Sequence, residues 1–123
     1  MGEESIMRSK WVKKLNASIP RWYNMRMGKL PDVDMARAFM VIQGYADLVF
    51  IVEDVVFIVE FKIRNFRSAV GQLLSYKQEF PSTPEFEPWK NLPIQMRLVA
   101  SKKDEVIEKL AAANDILFEV FNS

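Results

Sequence analysis

The chain has no cysteine and no histidine. Those two absences exclude disulfides, thiolate zinc sites, His-ligated metals, cysteine nucleophiles and Ser-His-Asp triads. Any metal is left to carboxylates, carbonyls and water, and any general base to Asp, Glu, Lys, Tyr or a hydroxide generated on a metal. Apolar runs of membrane-spanning length are also missing: the longest, 48–52 and 55–59, are broken by charge. The charged, amphipathic start does not resemble a secretory signal. Internal repeats and low-complexity segments are absent too. The expectation is a soluble, intracellular (cytoplasmic) protein with no membrane partner.

Half of the 123 residues are hydrophobic, enough for one core, so residues 1–123 are read as a single domain. The formal net charge of +1 hides an uneven spread. Up to Leu30, Arg8, Lys10, Lys13, Lys14, Arg21, Arg26 and Lys29 face only Glu3 and Glu4. Over 31–60, Asp32, Asp34, Asp47, Glu53, Asp54 and Glu60 stand against Arg37. This distribution predicts a positive rim around a negative, cation-seeking centre.

Residues 44–62, GYADLVFIVEDVVFIVEFK, dominate the chain. Two arms rich in Val, Ile and Phe meet at Glu53-Asp54, which reads as a β-hairpin with those two residues as its loop. Val52 then faces Val55, opposed residue numbers share one sum, and Asp47 falls opposite Glu60. Opposed Cβ atoms lie roughly 4.5–5.5 Å apart, and like charges there repel. Lys62, two residues beyond Glu60, projects on the same face as Glu60. Two facing carboxylates with an ammonium beside them suit a hard divalent cation such as Mg²⁺.

Residues 5 to about 17 read as an amphipathic helix with Met7, Trp11 and Leu15 on one side, ended by Pro20. Residues 21–34 show no sustained period and read as a loop mixing aromatic and basic groups. A first strand is expected over 35–43, leading through Gly44 into the hairpin. After it, 68–80 is helical, with Gln72 and Tyr76 one turn apart. Gly71 inside this helix predicts a close backbone approach. Residues 81–93, rich in proline, read as a loop. Residues 94–100 alternate as a strand; Ser101 and Asp104 resemble a capping box for a helix over 102–113. A last strand covers 116–121, parallel to its predecessor. The expected architecture is α/β: a mixed central sheet flanked by helices, in the order α-βββ-α-β-α-β.

An Asp near the start of one strand, Glu-x-Lys at the end of the next, and a helix bearing Gln-x-x-x-Tyr together resemble the PD-(D/E)XK nuclease superfamily. The matching residues are Asp47 in GYADLVF, Glu60 and Lys62 in VEFK, and Gln72 and Tyr76 in GQLLSY. The last pair looks like the exonuclease branch related to RecB and to CRISPR-associated nucleases, and the small size is similar to that of archaeal Holliday junction resolvases. The usual Pro before the Asp is Ala46 here. Only Glu3 and Glu4 are available as the first-helix Glu that some members use.

The resemblance implies a restriction-endonuclease-like core and a metal-dependent nuclease hydrolysing phosphodiester bonds, most of all in DNA. In that reading Asp47, Glu60 and the carbonyl of Phe61 hold Mg²⁺ or Mn²⁺. Lys62 orients or deprotonates the attacking water, and Gln72 supports the site. Tyr76, Arg64, Arg67, Arg21 and Arg26 contact nucleic acid. Relatives with small cores pair up to cut both strands, so a homodimer through an edge strand such as 116–121 is allowed.

Each of these residues has a structural counterpart. Asp47 could cap a strand end, Glu60 and Lys62 could blunt a sheet edge, and Tyr76 could be a core residue. Arg64 and Arg67 could be plain surface charges. The competing functions are a catalytically inactive nucleic-acid-binding or assembly module with the same fold, and a protein-interaction domain using Trp22, Phe86 and Trp89.

Overall fold

The computed structural model describes residues 2–28 and 44–122. Helix α1 (Glu3–Trp11) runs into a 3-10 turn (Val12–Lys14), followed by strands β1 (Arg21–Arg26), β2 (Tyr45–Val52) and β3 (Val55–Lys62). Helix α2 (Phe66–Glu79), two further 3-10 turns (Phe80–Ser82 and Pro84–Trp89), β4 (Ile94–Ala100), α3 (Glu105–Ala113) and β5 (Ile116–Val120) complete the chain. The five strands form one sheet in sequence order. β1, β2 and β3 are antiparallel neighbours, while β3, β4 and β5 run parallel. The mixed sheet and the element order are as expected. Among the described residues no helix is long and apolar enough to cross a membrane.

The hairpin closes as its composition demands. Val52 pairs with Val55 and Leu48 with Val59, and Glu53 and Asp54 both adopt positive φ, 50° and 63°. Positive φ at both loop residues is the arrangement whose twist matches that of the flanking strands.

The first strand is a correction. Arg21–Arg26 is β1, not loop, and the strand expected over 35–43 lies outside the described residues. The alternation signal fails in RWYNMR because Asn24 sits at φ 50° and reverses the pleat. Trp22 and Met25, three apart rather than two, therefore both reach the same core. Period-two counting cannot register such a strand.

The sheet separates two cores. On one side α1 lays Met7 and Trp11 against Leu48, Phe50, Val59, Phe61 and Val99. On the other, α2 and α3 bury Phe66, Ala69, Leu73, Ile107 and Ala111 against Val49, Val56, Ile58, Met96 and Leu98. Glu119 of β5 anchors α1: it accepts from Trp11 Nε1 at 2.8 Å, Lys14 Nζ at 2.9 Å and Arg97 Nη1 at 3.0 Å. Those bonds hold its carboxyl below the ordinary range despite partial burial.

Smaller expectations also shift. The N-cap of α3 is Asp104, whose side chain accepts from the Ile107 N–H at 3.1 Å; the Ser101 hydroxyl donates instead to the Ile63 carbonyl. The proline-rich 81–93 stretch contains 3-10 turns because Phe86 is fully buried, stacked on Phe80 with centroids 4.7 Å apart. Trp22 packs edge-on against Phe86 at 5.0 Å and against Trp89 at 5.4 Å. These aromatics thus close the core and do not form the exposed partner surface that the third functional reading needs.

Two glycines part company. A Cβ on Gly71 would meet nothing within 4 Å, so no backbone approaches there and the expected close contact is absent. A Cβ on Gly44 would lie 2.5 Å from Tyr76 Cε1. Gly44→Ala should therefore cost about 1–3 kcal/mol through overpacking, while Gly71→Ala should gain about 0.5–1 kcal/mol from helix propensity. Paired denaturant melts check both, and equal effects of the two changes would contradict the geometry.

Candidate active site

Backbone pairing between β2 and β3 ends at Leu48 and Val59. Beyond that rung β2 stays with β1 as far as the Tyr45–Arg26 pair, and β3 stays with β4 as far as Lys62–Ala100. The sheet therefore forks. Asp47 and Glu60, the next pair in the register, bridge the fork with their side chains. Asp47 Oδ2 accepts from the Phe61 N–H at 2.9 Å, and Glu60 Oε1 accepts from the Asp47 N–H at 3.0 Å. Each carboxylate replaces a backbone carbonyl in the ladder, which satisfies donors that the parting strands would orphan.

The same-face geometry expected for the pair is not that of a regular pleat. Val56 and Ile58 point into the α2-side core, and Glu60 and Lys62 continue that series. In β2, Ala46 joins the α2-side core and Leu48 the α1-side core, so alternation slips at Asp47. The two acids meet because both occupy the gap between the strands.

Burial and mutual repulsion set their chemistry. Glu60 is 3% exposed; loss of water, then the Asp47 charge, pushes its carboxyl up to about 8, against the pull of the Asp47 N–H and Lys62. Burial also raises Asp47, opposed by the Phe61 N–H, Arg8 and Lys62. Among the described residues no ion pair joins either acid to a basic group. Two hard oxygen donors that no described basic group pairs fit Mg²⁺ or Mn²⁺, which would displace the proton that burial favours on Glu60. The fit is with two acids: among the described residues no group of three or more potential ligands gathers. Glu4 of α1 adds its charge to both and its Oε1 lies 3.5 Å from the Ile63 N–H. The sequence offered it beside Glu3 as a first-helix acid, and of the two it is Glu4 whose charge acts on the pair.

The remaining residues divide. Lys62 is half-buried and acts electrostatically on both acids. Gln72 lies on α2 with a buried Oε1 that has no hydrogen-bond partner among the described residues. Tyr76 is 2% exposed and its hydroxyl donates to the Tyr45 carbonyl at 3.0 Å. Expected at a phosphate, it instead props the end of β2 against α2, with Gly44 leaving room for its ring. Burial and then the Glu60 and Asp47 charges raise its phenol, which keeps that donor protonated.

The arginines split likewise. Arg21 is spent on the carbonyls of Ile19 and Asn16 at the loop end of the sheet, opposite Phe50 and away from the fork, so it is not a flanking phosphate contact here. Arg26, exposed, sits at the fork end, donating to the Tyr45 hydroxyl. Arg64 is exposed, 3.8 Å from Glu3. With Arg67 and Lys102 it lines a groove where β3 leads into α2.

No protein-family model matches the sequence, and no curated protein matches it. Solved structures do. A repair endonuclease from Pyrococcus abyssi superposes with a TM-score of 0.58 at 16% identity, over 99% of this chain and 48% of that one. EndoMS in a complex with double-stranded DNA gives 0.59 at 14% identity, over 99% and 46%. The protein of unknown function AF1548 gives 0.56 at 12%, over 91% and 53%. The chain spans about half the length of these structures. With its mixed five-stranded sheet and flanking helices, the chain has the restriction-endonuclease-like fold of these structures.

Proposed function

We propose that the chain is a metal-dependent nuclease that hydrolyses phosphodiester bonds in DNA. The observation that carries this reading is the pair of carboxylates at the fork, Glu60 buried and Asp47 half-buried, each accepting a backbone N–H across the gap with Lys62 alongside. Placing the buried Glu60, whose carboxyl is pushed up to about 8, beside a second carboxylate costs stability, and a cation bound between them would offset that cost. That EndoMS is a protein seen on double-stranded DNA supports nucleic acid as the substrate.

Asp47 and Glu60, with the Phe61 carbonyl, would hold the ion. When bound, a divalent ion supplies Lewis acidity and positive charge beside the scissile phosphate. Lys62 orients the attacking water and offsets charge that builds on the phosphate oxygens. Gln72 offers its free Oε1 to a water proton, fixing that water's direction. Arg64 and Arg67, with Arg26 on the other side, take flanking phosphates, so affinity falls with salt.

Supercoiled plasmid and single-stranded DNA should be cut in Mg²⁺ or Mn²⁺ and left intact in EDTA. Lys62→Ala and Asp47→Asn should each lower the rate by about 100-fold or more with the fold retained. Binding without cutting in either metal would favour the inactive module.

Because the Glu60 carboxyl titrates at about 8 when folded and near 4.5 when unfolded, the folded state binds more protons between those values. Stability of the metal-free protein should therefore fall as pH rises across that window. Thermal melts in EDTA should show this fall, and Glu60→Gln should remove it, raising the midpoint at the alkaline end by roughly 3–5 °C. Mg²⁺ should stabilise the wild type and leave Glu60→Gln nearly unmoved. A wild-type midpoint that climbs with pH in EDTA would show that the acid pair is not under strain.

A further inference from the structure

Two exposed tyrosines lie beside the fork, on its β1–β2 side and on the face of the sheet that α1 covers. Tyr23 is 45% exposed and Tyr45 50%. Each ring is backed by a guanidinium: Arg8 lies 5.7 Å from the Tyr23 centroid and Arg26 5.5 Å from that of Tyr45. Both arginines are held in place. Arg8 donates to Asn24 Oδ1 at 2.9 Å, and Arg26 to the Tyr45 hydroxyl at 2.8 Å. Trp22 and Met25 of β1, Met27 just beyond it and Ala46 of β2 all enter the α2-side core. Their neighbours Tyr23, Arg26 and Tyr45 therefore face the other way, where α1 carries Arg8. Neither arginine forms an ion pair with a described acid.

In the register Tyr23 opposes Leu48 and Arg26 opposes Tyr45, so Asp47 falls in the interval between the two rings. That interval is three residues of strand, about 10 Å, well beyond the rise of about 3.4 Å between stacked bases in a duplex strand. A rigid duplex could not offer bases to both rings. A strand drawn out of its stack could, and half-open tyrosine faces beside guanidiniums that no described acid pairs are the chemistry that holds such a strand. A second protein on the β1 edge would have to cover both cations.

We propose that Tyr23 and Tyr45, each with its arginine, stack unpaired bases of single-stranded DNA on the β1–β2 side of the fork, leading that strand toward Asp47 and Glu60. The substrate is then an unpaired segment: a flap, an overhang or a melted site. The placement of the cut rests on the nuclease reading; the binding surface does not.

The test is fluorescence anisotropy in EDTA with a short labelled oligothymidylate and a duplex of equal length, using the full chain. The oligothymidylate should bind more tightly. Tyr23→Ala and Tyr45→Ala should each weaken it by about tenfold while changing duplex affinity by less than about twofold. Tyr23→Trp and Tyr45→Trp should retain binding, and circular dichroism should show all four variants folded. Equal losses for both DNAs, no loss for either, preference for the duplex, or a change of oligomeric state in place of lost binding would each overturn the proposal. Because no metal is present, a chain that binds in this manner but never cuts refutes the nuclease reading alone. A chain that cuts duplex unaffected by the tyrosine changes refutes this one alone.

Discussion

The structure turns on two acids that take the place of peptide carbonyls where the sheet divides. Up to Leu48 and Val59 the hairpin is an ordinary antiparallel ladder with an apolar core on each side. One rung further, backbone pairing gives way to the reciprocal bonds of Asp47 and Glu60. This exchange satisfies the peptide donors but sets two carboxyls close together, one buried and one half-buried. The opening in the sheet and the raised affinity of both acids for protons are two sides of one arrangement.

Supports around the fork come from every layer. Tyr76 reaches from α2 to the Tyr45 carbonyl and keeps the end of β2 in place. The Glu119 cluster fixes the C-terminal end of α1, and the helix brings Glu4 of its first turn and Arg8 of its last to act on the acids. Gly44 leaves the space that Tyr76 fills. These residues do not share one element. They converge because antiparallel pairing holds β1 and β2 together past the fork while parallel pairing holds β3 to β4.

The hairpin, its register, the Asp47–Glu60 pair and the element order were legible in the sequence because each follows from period-two patterning and from arithmetic about a turn. The first strand was not, since Asn24 reverses the pleat and hides the alternation. Tyr76 matched a motif by spacing, yet spacing cannot tell a hydroxyl offered to solvent from one committed to a carbonyl. Arg21 shows the same limit: charge is visible in a sequence, whereas prior engagement with the Asn16 and Ile19 carbonyls is not. Glu4 and Gly44 act through proximity across elements, for which no local pattern exists.

The two-residue turn at Glu53-Asp54 counts out the position of the acids from a point six residues away along each arm. Substitutions along the arms change packing but leave that count intact. An insertion or deletion in one arm alone would move a single acid off its rung and place an apolar side chain against the other. Length polymorphism should therefore be confined to the segments outside the hairpin, and within it the chain can vary in kind but not in number.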